Sequence, residues 1–265
     1  VLISDIGIIG LSIVYGITGL ISGIVVYGYL YRLIPGFSFS IKFASKKTAL
    51  KLMVPGGYFF ILQLASALIF ATDNIIISSI LGVAEVAPYA IAFRVFWLII
   101  TLASVITASM LPSITAAHAL NNNELLSNLY IKVLKLCLGL GIMVTFVMIS
   151  VGPDLMIMWI GPDNYVGDTT FYFFICLIFI SIILWPPDAI LVGTTKHKRY
   201  ALATVLEGFI NVGLSLWWIQ IWGVAGVAAA SLTARLSTSA WYMFYQAKIV
   251  TGVGITLLLG DVLKP

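Results

Sequence analysis

Charged residues are scarce in this sequence. Only 9% of its 265 residues are Asp, Glu, Lys or Arg, whereas 61% are hydrophobic, and the mean hydropathy is +1.11. Soluble domains carry about 25% charged residues, so these few charges cannot cover the surface of a soluble protein. The same shortage excludes an intrinsically disordered chain. The composition therefore predicts an all-α membrane protein, for which lipid is the main solvent.

Cysteines and reactive motifs are also few. Cys137 and Cys176 lie in apolar runs without a CxxC or a Cys/His cluster, and we interpret them as small packing residues. There is no Walker loop, no zinc-ligand spacing and no paired carboxylate in a wettable stretch. The formal charge of +4 is not clustered with aromatic residues, as nucleic-acid binding would require. We expect no catalytic residue, no metal site, no cofactor, no enzymatic activity and no nucleic-acid partner.

Long apolar runs are abundant instead. A membrane-spanning helix needs about 20 mostly apolar residues. Runs of this length, bounded by glycine, proline or charge, occur at 6–31, 54–81, 86–111, 128–151, 169–190, 201–220 and 223–246. The first run has no basic leader and no cleavage site, so it does not resemble a signal peptide. The sequence predicts about seven transmembrane helices, in a chain that we expect to be a fragment trimmed at both ends.

Basic residues orient the predicted helices. They occur in the connections 32–53, 112–135 and 191–200 and at Lys248, whereas the connections 82–85, 152–168 and 221–222 contain neither Lys nor Arg. Because short basic loops stay in the cytoplasm, the first set is predicted to be cytoplasmic and the second external, in a multi-pass protein of the inner (cytoplasmic) membrane. Ala44–Met53 and Glu124–Lys135 are either solvated loops or short helices lying on the inner surface.

The first and last runs resemble one another. Gly7 and Gly10 align without gaps to Gly223 and Gly226, and the basic exits Arg32 and Lys248 then share one register. The similarity is either a coincidence of small packing residues or a repeat related by an axis along the membrane normal, as in transporters built from parallel repeats. Prolines lie at or near the predicted inner helix ends, where they either stop a helix or permit a bend, at Pro55, Pro112, Pro186 and Pro187.

Four charged residues interrupt the apolar runs: Asp73, Arg94, Glu207 and Arg235. Each costs about 2.5–3.5 kcal/mol at a helix centre, so we expect them to be paired or to face water. Asp73 and Arg94 both lie roughly 12 Å below the outer surface, which allows an ion pair. Glu207 and Arg235 form a second candidate pair. These pairs either fix helix packing or line a substrate or ion path.

Several short segments together resemble a known family. The run DNIIISSILG at 73–82, the run VAPYAIAFR at 86–94, Leu111-Pro112, Gly193 with 196–200, Asn211 and the run WGVAG at 222–226 occur in the order found in the C-terminal half of polysaccharide flippases of the MATE-like (MOP) superfamily. The resemblance covers roughly residues 6–250. It implies a last N-lobe helix at 1–31, a cytoplasmic linker at 32–53, a six-helix C-terminal lobe at 54–246, and the start of a tail or truncated helix at 247–265.

The resemblance also implies a function. Such a flippase moves a polyprenyl-diphosphate-linked oligosaccharide, such as an O-antigen unit, across the cell membrane for surface polysaccharide biosynthesis. It works by alternating access together with the N-terminal lobe, which is missing here. The expected partners are the lipid-linked glycan, membrane lipid and a coupling H⁺ or Na⁺. Arg94 and Arg235 are the candidates for anion contact, and Asp73 and Glu207 for releasing those arginines or binding the coupling ion.

Two alternatives remain. A MATE-type drug or cation antiporter would favour an uncompensated carboxylate, whereas the intramembrane charges of this chain are balanced, two acidic and two basic. A polysaccharide polymerase or ligase would need a larger outer loop than 152–168.

Overall fold

The computed structural model describes residues 7–34, 45–194 and 197–254. Within these ranges the chain is helical and contains no strand, so the expected all-α fold is confirmed. The helices are α1 (Gly7–Leu33), α2 (Lys46–Phe70), α3 (Thr72–Ile80), α4 (Val86–Ala119), α5 (Asn123–Ile160), α6 (Asp168–Gly193), α7 (His197–Trp222), α8 (Val224–Ser237) and α9 (Ser239–Thr251). The chain divides into two compact units, Val1–Leu52 and Met53–Pro265.

Six stretches of the described residues are long and apolar enough to cross a membrane. They are Ser12–Leu33, Lys46–Ile80, Val83–Ala119, Asn123–Ile160, Asp168–Gly193 and Tyr200–Trp222. The predicted span 223–246 differs, because it forms two helices of 14 and 13 residues that meet at Thr238. Thr238 has φ −124° and ψ −85°, outside the helical region. The hydroxyls of Ser237 and Thr238 both donate to the carbonyl of Ala234, which offers the backbone an alternative to helical pairing.

The helices run past several boundaries predicted from the sequence. Pro112 lies inside α4, and Pro186 and Pro187 lie inside α6, so the interpretation of these prolines as helix stops is wrong. Proline is tolerated inside membrane helices because neighbouring groups satisfy the freed carbonyls. The expected surface helices are also not separate elements. Residues 46–53 begin α2, and residues 124–135 belong to α5.

The unit Met53–Pro265 is built around α6. Fifteen of its residues are buried, more than in any other described helix, and the aromatic rings of Tyr89 and Phe174 lie 5.2 Å apart across α4 and α6. Helix α8 approaches α7 closely at Gly226, where an added Cβ would lie 2.3 Å from the carbonyl oxygen of Trp218. This contact explains the small residues that open the last predicted span. Its proposed counterpart α1 is continuous, whereas α8 and α9 are separated by the break.

Candidate functional site

A cavity of about 160 Å³, lined by both polar and apolar side chains, lies within the unit Met53–Pro265. Six helices contribute to its walls, and the polar side chains among the lining residues are Ser66, Trp97, Ser181, Trp185, Asp188, Tyr200, Thr204, Glu207, Arg235 and Ser239. Polar groups inside a membrane-crossing bundle are costly unless they face water or one another. This concentration of them therefore marks the cavity as the candidate site.

Arg235 and Glu207 meet in the wall of this cavity. The guanidinium Nε of Arg235 donates to Glu207 Oε1 at 3.1 Å, and its Nη1 donates to the hydroxyl of Ser181 at 2.7 Å. The hydroxyl of Ser239 donates to the second oxygen of Glu207. Glu207 is 1% exposed and the Arg235 side chain 18% exposed. The carboxylate is thus enclosed, while the guanidinium remains accessible from the cavity.

Asp188 and Tyr200 complete the charged part of the cavity. Asp188 interacts with the hydroxyl of Tyr200 through a hydrogen bond and with Arg235 electrostatically. Asp188 is not among the charged residues predicted from the sequence, since it lies two residues before the predicted end of its helix and directly after two prolines. Its position inside the predicted apolar run 169–190 could have identified it as a further intramembrane charge. With Asp188 and Glu207 beside Arg235, the expected balance of acidic and basic groups does not hold in this cavity.

A second buried polar cluster surrounds Asp73. The hydroxyl of Tyr89 donates to Asp73 Oδ2 at 2.7 Å, and the hydroxyl of Ser231 lies 3.4 Å from the same oxygen. Asn211 Nδ2 donates to Ser231 at 2.6 Å. All four side chains are buried. The cluster therefore connects α3, α4, α7 and α8 through hydrogen bonds.

Arg94 does not belong to this cluster. The predicted Asp73–Arg94 ion pair is not formed: Arg94 is exposed, and the ion pair found in the described part of the chain joins Arg235 and Glu207. The reason is helical periodicity, because Tyr89 faces Asp73 and Arg94, five residues later, points about 140° away around α4. Trp97, which follows Arg94 by almost one turn, lines the cavity. Arg94 thus lies one turn from the cavity on a neighbouring face.

The fold and the cavity together define a multi-pass membrane protein with a cavity between its helices that contains several polar side chains. Residues 59–217 match the MatE family, and the chain belongs to that family. A curated relative is the uncharacterized membrane protein EpsK of Bacillus subtilis (strain 168), which is 24% identical over 92% of this chain and 49% of its own length.

Solved structures of transporters share the fold. One is a MOP superfamily transporter from Pyrococcus furiosus, described by the reverse polarity of its binding pocket, with a TM-score of 0.68 and 24% identity over 81% of this chain and 49% of its own. Another is an outward-facing multidrug resistance MATE family transporter, with a TM-score of 0.67 and 26% identity over 81% and 49% of the two chains. The chain spans about half the length of these relatives. Both of these solved structures are described as transporters.

Proposed function

We propose that this chain is the C-terminal lobe of a flippase that moves a polyprenyl-diphosphate-linked oligosaccharide across the cytoplasmic membrane. The main support for this proposal is Arg235, whose side chain lines the cavity inside the helical bundle and is 18% exposed. The resemblance of the segments between Asp73 and Gly226 to polysaccharide flippases adds independent support.

The chemistry of such a substrate explains the need for a cationic cavity. A diphosphate with attached sugars cannot enter hydrocarbon without losing its hydration, so a carrier must supply compensating groups. Arginine matches phosphate oxygens with a two-pronged set of N–H donors. The Ser181 hydroxyl already lies 2.7 Å from Arg235, so a phosphate at this place meets both groups. Arg94 is a second cation one turn away along α4.

The buried carboxylates are the candidates for energy coupling. Asp73 and Glu207 are each 1% exposed, and each is connected to several helices by hydrogen bonds. In our proposal they bind or release the coupling H⁺ or Na⁺ while the lobe changes conformation. Alternating access then requires the second lobe. We therefore propose that residues 1–31 form the last helix of the N-lobe, 32–53 the linker, 54–246 this lobe, and 247–265 the start of a tail or truncated helix.

A MATE-type cation antiporter is the second candidate, and a specific observation favours it. The cavity contains two carboxylates, Asp188 and Glu207, for one guanidinium. An organic cation would be attracted to that excess of acidic groups. A solved relative of the same fold is described as a multidrug resistance transporter. The two candidates therefore differ in the sign of the substrate.

Deletion and complementation of the intact gene that encodes this chain separates the two. A flippase predicts that deletion abolishes surface polysaccharide and that the lipid-linked unit accumulates on the cytoplasmic side. The intact gene should restore both, and the same gene with Arg235→Ala should not. Normal polysaccharide in the deletion strain, together with increased sensitivity to cationic dyes, would instead identify a cation antiporter.

A further inference from the structure

Both oxygens of the Glu207 carboxylate are bound, by residues on opposite sides of the break at Thr238. Arg235, near the end of α8, donates to one oxygen, and Ser239, the first residue of α9, donates to the other. Glu207 itself belongs to α7. One buried carboxylate therefore connects α8 and α9 to a third helix.

This environment is chemically suited to a phosphate oxygen as well. Carboxylate and phosphate oxygens accept the same charge-assisted hydrogen bonds from a guanidinium. Both side chains line the cavity, but Glu207 is almost completely buried and Arg235 is more exposed. A phosphate arriving through the cavity would thus have to compete with Glu207 for Arg235.

We propose that Glu207 is an internal competitor of the anionic substrate, and that a diphosphate binds Arg235 only when Glu207 takes up a proton. The proposal rests on the proposed function and adds the regulation of the same site. Each bound diphosphate is then accompanied by one proton, which converts the Glu207 carboxylate to a neutral carboxylic acid. A protonated Glu207 attracts Arg235 much less than the carboxylate does, so the guanidinium binds the substrate instead.

Electrostatics requires the proton. A buried carboxylate that loses its cationic partner is strongly unfavourable, whereas a neutral carboxylic acid is tolerated. Among the side chains that the structure describes, the other titratable or charged groups beside this pair are Asp188 on α6 and Tyr200 on α7. Glu207 accepts a hydrogen bond directly from Arg235, whereas Asp188 accepts one from the Tyr200 hydroxyl, so the proposal assigns the substrate-linked proton to Glu207.

Binding of inorganic pyrophosphate to the intact purified protein tests this assignment. Isothermal titration calorimetry between pH 6 and pH 8 should show that wild-type affinity falls about tenfold more per pH unit than that of Glu207→Gln, because one proton is linked to binding only in the wild type. Pyrophosphate itself titrates in this range, and the comparison of the two proteins removes that contribution. At pH 8 Glu207→Gln should bind at least tenfold more tightly than the wild type.

Two further variants keep the test decisive. Glu124→Gln, the same change at an exposed carboxylate in the first turn of α5 and outside the cavity, should retain the wild-type pH dependence. Ser239→Ala removes one donor to Glu207 but leaves the carboxylate in place. It should strengthen pyrophosphate binding several-fold and preserve the pH dependence, and unchanged or weaker binding would contradict the proposal even if Glu207→Gln failed to fold.

The outcomes separate this inference from the proposed function. Equal pH dependence in the wild type and Glu207→Gln, with binding lost in Arg235→Gln, overturns the internal competitor and leaves the anionic substrate intact. Loss of the pH dependence in Asp188→Asn, with retention in Glu207→Gln, also overturns it. Absence of pyrophosphate binding in the wild type and in Glu207→Gln overturns both proposals.

Discussion

Arg235 is the basic residue that borders the cavity in the described part of the chain and contacts two neighbouring helices. It lies in a helix whose other described residues are apolar, small or hydroxylated, and it contacts α6 through Ser181 and α7 through Glu207. A purely structural arginine and a substrate-binding arginine both satisfy this geometry. The two roles predict different results for a double substitution of Arg235 and Glu207. If Arg235 only neutralises Glu207, removing both residues restores the protein; if Arg235 binds the substrate, transport stays lost.

The first prediction concerns this pair. Arg235→Ala should lower the amount of folded membrane protein, because it leaves the buried Glu207 carboxylate without its cation. Adding Glu207→Ala should restore protein abundance but not polysaccharide export. Arg235→Lys should reduce export less than alanine does, since an ammonium keeps the charge but loses the planar set of donors. Quantitative immunoblots and surface-polysaccharide staining measure both quantities, and export regained by the double variant would show Arg235 to be a packing residue.

The second prediction concerns Tyr89. Tyr89→Phe removes the 2.7 Å hydrogen bond to Asp73 without changing the packing of the ring, and it leaves a buried carboxylate with a weaker set of donors. We expect a loss of about 1–3 kcal/mol in stability, seen as a lower melting temperature of the protein in detergent. Tyr245→Phe is the matched control, because Tyr245 is 57% exposed. Equal melting temperatures for the two variants would contradict a stabilising role for the Asp73 cluster.

At the scale of the elements, the apolar runs predict that helices exist, because about 20 apolar residues suffice to identify a span. They do not predict interruptions such as Thr238, since the competing hydroxyl bonds to Ala234 use residues that are common in continuous helices too. The sequence also does not predict which side chains contact one another between helices. Depth in the membrane suggested Asp73 and Arg94, but the direction in which each side chain points around its helix decides contact, and Tyr89 faces Asp73 instead.

The seam between α7 and α8 gives the third prediction. Gly226→Ala would place a methyl group 2.3 Å from the carbonyl oxygen of Trp218, a backbone atom that cannot rotate away. We expect the two helices to separate and the free energy of unfolding to fall by about 1–3 kcal/mol, as for other overpacked contacts. The melting temperature should fall with it.

Gly213 supplies the control for that change. An added Cβ at Gly213 has no atom within 4 Å to meet, so Gly213→Ala should leave stability unchanged or raise it by up to about 1 kcal/mol through helix propensity. Thermal unfolding followed by size-exclusion chromatography of both variants measures the difference. A tolerated Gly226→Ala would mean that the two helices are not held at this distance.

At the scale of the whole molecule, the positive charges of the loops predict the orientation in the membrane. Single cysteines at Lys46, Lys198 and Lys248 should resist an impermeant thiol reagent in intact cells, and cysteines at Glu85 and Asp163 should react with it. The background must lack the native Cys137 and Cys176, of which Cys176 is exposed. Labelling at position 198 but not at position 163 would reverse the topology and, with it, the direction of transport.

The helices α4 and α5 are both longer than a bilayer crossing requires. Helix α5 has 38 residues and is about 57 Å long, whereas the hydrocarbon core is about 30 Å thick and a usual tilt of about 20° absorbs little of the excess. Leu126 and Tyr130 of α5 pack with Ile114 and Ala117 of α4. The hydroxyl of Ser127 donates to the carbonyl of Thr251 at 2.6 Å.

The end of these two helices next to the turn at 120–122 is therefore stiff, and its packed residues are not among those that line the cavity. An antibody fragment raised against the turn at 120–122 would add a rigid marker to a small particle that otherwise sits inside a detergent micelle. It would provide the alignment signal that single-particle electron microscopy needs, without touching the site to be imaged.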